Sequence, residues 1–281
     1  MADTSVTAVI PCFNHGRYVR EAVDSVLGQT YRDLRVIVVD DGSTDPHTIS
    51  VLETLQGDRV SVLRKANGHL SSARNAGIAA TASPHIMTLD ADDYFEPAFG
   101  EKACAVLDQA AGVGAVTCAI RFFGCRSGTY HPSGGDLSAF LVRNCARASA
   151  LFRRQCWEAV GGYDETMKKG YEDWDFWIRM TARGWRVHAL SEVLLNYRCA
   201  EVSMVVGADA IRPDLVRHLA RKHGGLYRAH LDDVLYEKER QIQFLESRLD
   251  EMRSSIAYRL GRCFTEPLTV LRSGTRKLRG S

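Results

Sequence analysis

The chain has 281 residues and a mass of 31.2 kDa, which is enough for one large domain or for one domain with an appendage. Its composition, 45% hydrophobic and 25% charged, is ordinary for a globular protein. A formal net charge of +2 gives no reason to expect nucleic acid as a partner. The longest apolar stretches, such as VIVV at 36–39, have the length of a strand and fall far short of a membrane span.

The eight cysteines include no C-x-x-C pair, and several of them lie in apolar runs. This distribution predicts reduced, mostly buried thiols rather than a disulfide framework or a zinc site. The N-terminal stretch MADTSVTAVIPCFN has no basic segment followed by an apolar one, so we expect no export signal. Both observations predict a cytoplasmic protein.

Through the first hundred residues, short apolar and β-branched runs alternate with segments of helical periodicity. The runs at 6–12, 35–41, 60–65 and 85–91 predict strands, and the stretches between them predict helices. Such alternation predicts an α/β fold with a doubly wound, mostly parallel sheet and helices on both faces. Ligands of these sheets bind beyond the carboxyl ends of the strands, which is where the polar segments PCFNHG, DDGSTD and DADD stand.

The second half is more mixed. GVGAVTCAIRFFG, WRVHAL and EVLLNY predict strands, and ALFRRQCWEAVGGYDE predicts a strand, a short helix and a glycine stop. YEDWDFWIRMTARG has helical periodicity and ends at Gly184. We divide the chain into an α/β domain at 1–225 and a helical extension at 226–281.

The extension carries an apolar stripe at alternating spacings of three and four residues: Ile242, Leu245, Leu249, Met252 and Ile256. The stripe predicts either a short coiled coil, which could join two chains, or a long amphipathic helix packed on its own domain. The basic tail RLGRCFTEPLTVLRSGTRKLRGS suits either an anionic membrane surface or a solvated terminus.

The stretch LDADDYFEP follows the fourth predicted strand and contains three carboxylates, Asp90, Asp92 and Asp93. An Asp-x-Asp at the end of a parallel strand can hold a divalent cation through hard oxygen ligands, completed by water and substrate phosphates. Asp92 or Asp93 could instead cap the helix predicted to follow, although one cap needs one Asp and not three.

Three further clusters combine polar residues with strand or helix ends. In DDGSTD, Asp41 could accept hydrogen bonds from a base or a ribose, or the segment could be an ordinary turn. In GYEDWDFW, aromatic neighbours would raise the proton affinity of a carboxylate and suit a general base, unless this helix start is structural. In NGHLSSARNAGI, Arg74 could lie near a phosphate at a helix start or on a solvated face.

Together the clusters describe one site: a nucleoside pocket after the first two strands, a metal and diphosphate clamp at Asp90 and Asp92, and Asp173 as a separate acid. The chain resembles an inverting family 2 glycosyltransferase with the GT-A fold. The matching stretches cover about 5–205 and occur in the family's order: VIPCFNHGRYVREAVDSVLGQTYRDLRVIVVDDGSTD, LSSARNAGI, LDADDYFEP, VGGYDE and GYEDWDFWIRM.

The resemblance implies a role for each matching residue. Asp173 would be the catalytic base, Glu172 would help to hold the acceptor, and Trp174 would flank the acceptor. Asp92, with Asp90, would bind a divalent metal, Mn2+ or Mg2+. The nucleotide sugar would be contacted by Pro11, Phe13, Asn14, Asp41, Arg74, Asp90 and Ala91.

Two positions depart from the family's pattern. His69 stands where a glycine is common, before the S-x-A-R-N run. Ala200 stands at the histidine of the Y-R-x-H motif, which can supply a third metal ligand, and His188 lies nearby only within a predicted strand. The metal would therefore be held by Asp92, phosphates and water alone.

The resemblance implies a hexosyl- or related transferase that moves a sugar from a nucleotide diphosphate sugar, UDP-linked, to a glycan or lipid-linked acceptor, as in bacterial surface polysaccharide synthesis. A nucleotidyltransferase would need a basic, glycine-rich loop after the first strand, and PCFNHGRY offers one Gly and one Arg. The alternative is a non-catalytic nucleotide-sugar-binding or assembly subunit.

Two matters stay open at the level of sequence. The residues that select the donor sugar and the acceptor fall in 120–150, where no motif is recognisable. The C-terminal helix could form a homodimer, and the tail could contact the inner face of the membrane peripherally.

Overall fold

The computed structural model describes residues 5–200, 207, 208 and 210–255. The chain divides into two compact units, Met1–Ala229 and His230–Ser281. The boundary predicted after residue 225 lies close to this division. The basic tail lies outside the described residues, and so does Ile256 of the apolar stripe.

The first half alternates strands and helices as predicted. The elements are β1 (Val6–Cys12), α1 (Gly16–Leu27), β2 (Leu34–Asp40), α2 (Pro46–Glu53), β3 (Val60–Arg64), α3 (His69–Ala79) and β4 (His85–Thr88). The four strands are parallel and lie in the order β3-β2-β1-β4. Every residue of β1 is buried, because this central strand is covered on both faces.

The second half adds strands of both directions to this sheet. Its elements are β5 (Tyr94–Phe95), α4 (Phe99–Gln109), β6 (Val113–Gly124), β7 (Gly128–Tyr130), α5 (Leu137–Val142), β8 (Ala150–Arg153), α6 (Arg154–Val160), α7 (Glu172–Thr181), β9 (Arg186–Cys199), α8 (Arg212–Lys222) and α9 (Gly224–Ala229). WRVHAL and EVLLNY, predicted as separate strands, form the single strand β9, which pairs with β6 through register shifts.

Among the described residues, nine strands form one mixed sheet in the order β3-β2-β1-β4-β8-β6-β9-β5, with β7 paired to β6. β8 is antiparallel to both β4 and β6, whereas β6 and β9 are parallel. The direction of β1 is therefore shared by β2, β3, β4, β6 and β9. Their carboxyl ends bring the loops of both halves to one edge.

Helices cover both faces of the sheet, as predicted. Successive strand residues point to opposite faces. Ala8 and Ile10 belong to one hydrophobic cluster with Val19 and Val23 of α1. On the other face α3 approaches so closely that a Cβ on its Gly77 would lie 2.4 Å from Cγ1 of Val9. This contact seats α3, and the arginine that it carries, directly against the strands whose ends form the site.

For the part of the chain that the structure describes, the cysteines agree with the prediction of mostly buried thiols. Seven cysteines there are free, and five of them are buried: Cys12, Cys104, Cys118, Cys145 and Cys156. Burial raises the pKa of the thiol to about 11 in Cys12 and about 12 in Cys104, so these groups stay protonated near neutral pH.

The second unit contains the helix α10 (Leu231–Ser254). Four residues of the predicted stripe, Ile242, Leu245, Leu249 and Met252, are between 41% and 65% exposed. Neither this helix nor any other described one is apolar and long enough to cross a membrane. The stripe is thus an exposed apolar face, and its predicted pairing between chains stays a prediction.

Candidate active site

A cleft of about 520 Å³ opens at the carboxyl edge of the sheet, within the first unit. Asp90 reaches it from the loop after β4, and Glu172 and Asp173 reach it from the first turn of α7. We call these three residues the acidic side of the cleft. Carboxylates near a helix N-terminus are stabilised by the helix dipole, which favours Glu172 and Asp173 where they stand.

Arg74 holds two of the three acids. It lies on α3 with no exposed surface, donating from Nη1 to Glu172 Oε1 and from Nη2 to Asp90 Oδ1, each at 2.7 Å. Burial lowers the pKa of Arg74, but the charges of Asp90 and Glu172 outweigh it, so that its pKa is raised. The contact between Arg74 and the donor stays a prediction, and the charge of Arg74 is already matched by two carboxylates.

Asp173 has different partners. Its Oδ1 accepts the backbone N–H of Trp174 at 2.7 Å, and its Oδ2 accepts the side-chain amide of Asn144 at 3.0 Å. It forms no ion pair with any residue that the structure describes. Burial raises the pKa of Asp173, and hydrogen bonding from Asn144 offsets that only in part. Of the acidic side, Asp173 is therefore the group best suited to accept a proton.

Glu172 is 5% exposed, and burial raises its pKa despite the attraction of Arg74. Its Oε1 is engaged by the Arg74 guanidinium. A carboxylate held by an arginine favours its charged form and gives up that pairing when protonated. Glu172 thus serves to fix Arg74 and the start of α7 more directly than to exchange protons.

Neither Asp92 nor Asp93 caps a helix, which corrects the capping alternative. The next helix, α4, begins only at Phe99 after Ala98. Asp93 is buried, and its Oδ1 accepts the backbone N–H of Arg198 on β9 at 2.8 Å. Burial and the charges of Asp90 and Asp92 raise the pKa of Asp93 well above its usual range. We call the loop after β4 that carries Asp90, Asp92 and Asp93 the acidic loop. Asp93 therefore ties the acidic loop to β9.

Asp92 is half-buried, and its pKa is raised by burial and by the charge of Asp90. Within the described part of the chain, no three His, Cys, Asp or Glu side chains converge as a metal site. Ala200 lines the cleft with a methyl group, which cannot ligate. Asp92 and the second oxygen of Asp90 are hard ligands that suit Mg2+ or Mn2+, but only if phosphate and water oxygens complete the shell.

The predicted nucleoside residues stand at the ends of β1 and β2. Phe13 is 45% exposed, and Pro11 is buried within β1. Asn14 joins the two strand-end loops, since its Oδ1 accepts the backbone N–H groups of Thr44 and Asp45 at 2.8 and 2.9 Å. Phe13 is thus the side chain available to stack on a planar ring, and Asn14 holds the loops that would enclose it.

Asp41 is buried, and its carboxylate already has donors. Its Oδ1 accepts from Lys65 Nζ at 2.8 Å and from the backbone N–H of Gly68 at 3.0 Å. Gly42 follows with a φ of +78°, which brings the turn against the backbone of Asn67. A contact between Asp41 and a base, as predicted, would share a carboxylate that also braces the loop before α3.

Left-handed backbone in non-glycine residues occurs at three described positions, Asn14, His69 and Tyr171, with φ of 56°, 68° and 63°. Such conformations are costly for side chains with a Cβ, and they cluster at functional sites. His69 is the position where the family resemblance expects glycine, and its φ explains that expectation. Tyr171 precedes Glu172 and lines the cleft.

The structure corrects the role predicted for Trp174. Its side chain is 1% exposed, and its Nε1 donates to the carbonyl of Phe140 at 2.6 Å. It therefore cannot flank an acceptor in this arrangement, and Tyr171 is the aromatic residue of this segment that lines the cleft. Ala91, which stands between Asp90 and Asp92 in the chain, is 2% exposed and belongs to the hydrophobic core. Its predicted contact with the nucleotide sugar can therefore involve only its backbone.

Several residues of the cleft were not predicted from sequence. They come from β6, β7 and the α5–β8 loop, within the segment 120–150. Asn144 donates to Asp173, and Arg147 lies between Tyr130 of β7 and Tyr197 of β9. No short motif marks them, because their proximity to α7 depends on the pairing of β8 between β4 and β6.

Residues 7–171 match the family described as Glycosyl transferase family 2, and residues 113–258 match Glycosyltransferase like family 2. The chain is 43% identical over 94 residues to a chondroitin synthase of Pasteurella multocida, covering 33% of this chain and 10% of that protein. It is 30% identical over 191 residues to an uncharacterized glycosyltransferase of Rickettsia prowazekii, covering 62% and 58% respectively. The chain thus spans less than two thirds of the length of these curated relatives.

Among solved structures, Staphylococcus aureus TarS in complex with UDP-GlcNAc resembles the chain with a TM-score of 0.62 at 19% identity, over 73% of this chain and 61% of that one. This likeness concerns the fold, and it agrees with the GT-A architecture predicted from the motifs. The family match at 7–171 covers more than half of the sequence and includes the acidic loop, α3 and the residues up to α7. The chain therefore belongs to glycosyl transferase family 2.

Proposed function

We propose that the chain transfers a sugar from a nucleotide diphosphate sugar, UDP-linked, to a hydroxyl group of a glycan or lipid-linked acceptor, with inversion at the anomeric carbon. One observation carries the proposal. Asp173 lies in the cleft with neutral donors only and a raised pKa, while Asp90 and Glu172 beside it are paired with Arg74. One carboxylate is thus kept ready to accept a proton.

The donor is inferred from the fold and from the strand-end loops. TarS, a protein of the same fold, has been solved with UDP-GlcNAc. Phe13 offers an exposed aromatic face for a nucleobase, beside loops that Asn14 joins. Stacking of a base on an aromatic ring contributes about 1–3 kcal/mol, which is enough to orient a nucleotide.

The transfer follows as a single displacement. The acceptor oxygen attacks the anomeric carbon from the face opposite the diphosphate, and the bond between that carbon and the diphosphate oxygen breaks. Asp173 takes the proton of the attacking hydroxyl through whichever oxygen faces it. Arg74 holds Asp90 and Glu172 in place through its two hydrogen bonds, so Asp173 is the acid left free to meet the attacking hydroxyl.

A divalent cation, Mn2+ or Mg2+, fits the acidic loop with Asp92 and the second oxygen of Asp90 as ligands, completed by donor phosphates and water. When bound, it offsets the negative charge that develops on the diphosphate leaving group. Ala200 supplies no further ligand, so we expect cation affinity to depend on the bound donor.

A screen of nucleotide sugars for donor hydrolysis, with Mn2+ and with EDTA, tests this proposal. We expect turnover with at least one UDP-sugar and a large loss of rate in EDTA. Equal rates in EDTA would remove the cation from the proposal, and no turnover with any nucleotide sugar would contradict the enzyme assignment. The product's anomeric configuration, read by NMR, must be opposite to that of the donor.

A second candidate function is an assembly subunit that binds a nucleotide sugar without turning it over. The exposed stripe of α10 favours partner contacts, either a second copy or a membrane surface. Leu245→Asp with Leu249→Asp in the full chain tests those contacts. A fall in mass by light scattering would support a homodimer, and lost partition to anionic liposomes would support peripheral membrane contact. Retained donor turnover in the variant would keep the extension separate from catalysis.

A further inference from the structure

Besides Arg74, the cleft is lined by Arg126, Arg143 and Arg147 from the segment 120–150, and by Arg212 of α8, which donates to the Tyr171 hydroxyl at 2.9 Å. We call Arg126, Arg143 and Arg147 the arginine side. Unlike Arg74, none of them forms an ion pair or a carboxylate hydrogen bond with a residue that the structure describes. Cationic groups gathered in a cleft create a field that attracts anions. The arginine side therefore lacks the ion pairs that Arg74 makes, although the charge of Arg147 acts on Asp173.

Arg147 is the most constrained of the three. Its guanidinium lies 5.4 Å from the ring centroid of Tyr130 and 5.5 Å from that of Tyr197. Contacts with ring faces hold the guanidinium plane but use none of its N–H donors. The side chain is half-buried, and within the described part of the chain it donates no hydrogen bond. Two rings thus orient a planar fork whose donors are unused.

The other two arginines are also held by uncharged groups. Arg126 stacks on Phe122 with its guanidinium carbon 3.8 Å from the ring centroid. Arg143 is exposed and donates from Nη2 to Ser133 Oγ at 3.3 Å. Such contacts do not neutralise a guanidinium charge, so both arginines add positive potential to their side of the cleft.

The position of these arginines identifies which substrate they face. Arg143 and Arg147 flank Asn144, whose amide donates to Asp173, the proposed base. The base must lie beside the acceptor hydroxyl. The proposed nucleoside residues Phe13 and Asp41 are not among those lining this cleft. Arg74 and Asp90, which are predicted to contact the donor, do line it, but Asn144 joins the arginine side to the proposed base, so this side borders the acceptor.

Resting on the proposed function, we propose that the acceptor carries an anionic group, a phosphate or a carboxylate, which Arg126, Arg143 and Arg147 bind close to the reacting hydroxyl. The planar guanidinium matches both groups through two parallel N–H donors. Such recognition selects an acidic acceptor over a neutral sugar of the same shape, because the neutral sugar leaves the arginines unpaired.

Binding of small probes to the full chain tests this subsite. The probes are sn-glycerol 3-phosphate, methyl β-glucuronide and the neutral methyl β-glucoside, titrated by ligand-observed NMR in the presence of saturating UDP. We expect both anionic probes to bind and the neutral glucoside to bind at least about tenfold more weakly, since a hydrogen bond to a charged group contributes more than a factor of ten.

Arg147→Gln is expected to weaken binding of the anionic probes by about tenfold, and Arg147→Lys by less, because lysine keeps the charge but not the fork. The UDP dissociation constant should stay within about twofold, since the arginines face the acceptor. Arg217→Gln, an exposed arginine of α8 paired with Asp214, is the matched control and should change neither value. A circular dichroism melt of each variant checks the fold.

Three results would overturn the anion subsite. One is equal binding of the anionic and neutral probes. The second is a loss of UDP affinity in Arg147→Gln together with displacement of the probes by UDP, which would assign the arginines to the donor diphosphate. The third is full retention of probe binding in Arg147→Gln. If the proposed function itself were wrong, the unaltered chain would neither bind UDP nor turn over a donor, which distinguishes that outcome from the three above.

Discussion

Two aspartates in the first turns of α7 have opposite surroundings. Asp173 faces the cleft and is held by neutral donors. Asp175 has no exposed surface, and its carboxylate meets three cationic or basic side chains: Arg179 at 2.8 Å, Lys222 at 2.6 Å and His223 at 2.8 Å. Burial raises the pKa of Asp173. Burial acts on Asp175 in the same direction, but His223, Arg179 and Lys222 outweigh it and lower the pKa of Asp175.

The comparison shows that the charged side chains around a buried carboxylate, and not burial alone, set the direction of its pKa shift and therefore its role. Asp173 forms no ion pair with any described residue, and burial outweighs its hydrogen bonds and the charges of Arg74 and Arg147, so its pKa is raised, as a base requires. With cations Asp175 stays charged and joins α7 to Lys222, the last residue of α8, and to His223 directly after it. One carboxylate is therefore available for chemistry, and the other is a structural connection.

Of the changes that separate Asp173 from Asp175, Asp173→Asn is expected to have the largest effect, which is on the rate of transfer. The change keeps the shape of the side chain and removes the proton acceptor, so kcat at saturating donor should fall by about 10²- to 10⁴-fold. Stability should hold, because the ionised Asp173 is disfavoured in the folded state and its loss removes a cost. Transfer kinetics and urea unfolding measure the two quantities. Asp58→Asn, in an exposed turn before β3, is the control, and unchanged transfer in Asp173→Asn would refute the assignment.

Asp175→Asn should show the reverse pattern. Removing one partner of a buried ion pair costs about 3–5 kcal/mol, and we expect about 2–3 kcal/mol here because Arg179 and Lys222 are partly exposed and can regain water. Urea unfolding measures the loss. Asp214→Asn, in an exposed pair on α8, should cost no more than about 0.5 kcal/mol. If Asp175→Asn lowered kcat without lowering stability, the structural assignment would be wrong.

The two acids also predict separate responses to pH. Since the pKa of Asp173 is raised, kcat/KM should fall about tenfold per pH unit below a pKa that lies above the ordinary aspartate value of about 3.9. Since the pKa of Asp175 is lowered, its stabilising contribution is complete above about 3.9 and is lost only as pH falls below that value.

Acidification should therefore stop transfer while the protein is still folded. A pH profile of kcat/KM, recorded together with the circular dichroism signal, measures the loss of activity and the loss of the fold separately. Asn144→Ala should move the activity limb to higher pH, because the amide hydrogen bond lowers the pKa of Asp173. Coincident loss of activity and fold would contradict the separation of the two roles.

The order of the elements and the acids at the strand ends could be predicted from sequence, because both depend on local patterns. β1 is a fully apolar run, and DDGSTD and LDADD follow strands in the chain itself. The family resemblance rested on the same stretches and was confirmed by the match at 7–171. What could not be predicted are contacts between distant segments. Within GYEDWDFW, Asp173 and Asp175 both have aromatic neighbours in the sequence. Only the contact of Asp175 with the end of α8 makes their surroundings different.

The arginine side shows the same limit. Arg126 follows β6, and Arg147 precedes β8. They share a cleft because β6 and β8 are antiparallel neighbours. Nothing in the local sequence states that pairing, so the segment 120–150 offered no motif. A resemblance to a family has a related limit, since it assigned Trp174 to the acceptor although its burial depends on α5.

Trp174→Phe gives the smallest effect and tests that correction. Losing the indole N–H leaves the carbonyl of Phe140 unpaired, so stability should fall by about 1–2 kcal/mol while the acceptor KM stays unchanged. Tyr171→Ala should do the opposite, raising the acceptor KM because Tyr171 lines the cleft. Acceptor titrations and urea unfolding of both variants decide the matter. A raised acceptor KM in Trp174→Phe at unchanged stability would restore Trp174 to the acceptor site, and would mean that α5 moves aside when the acceptor binds.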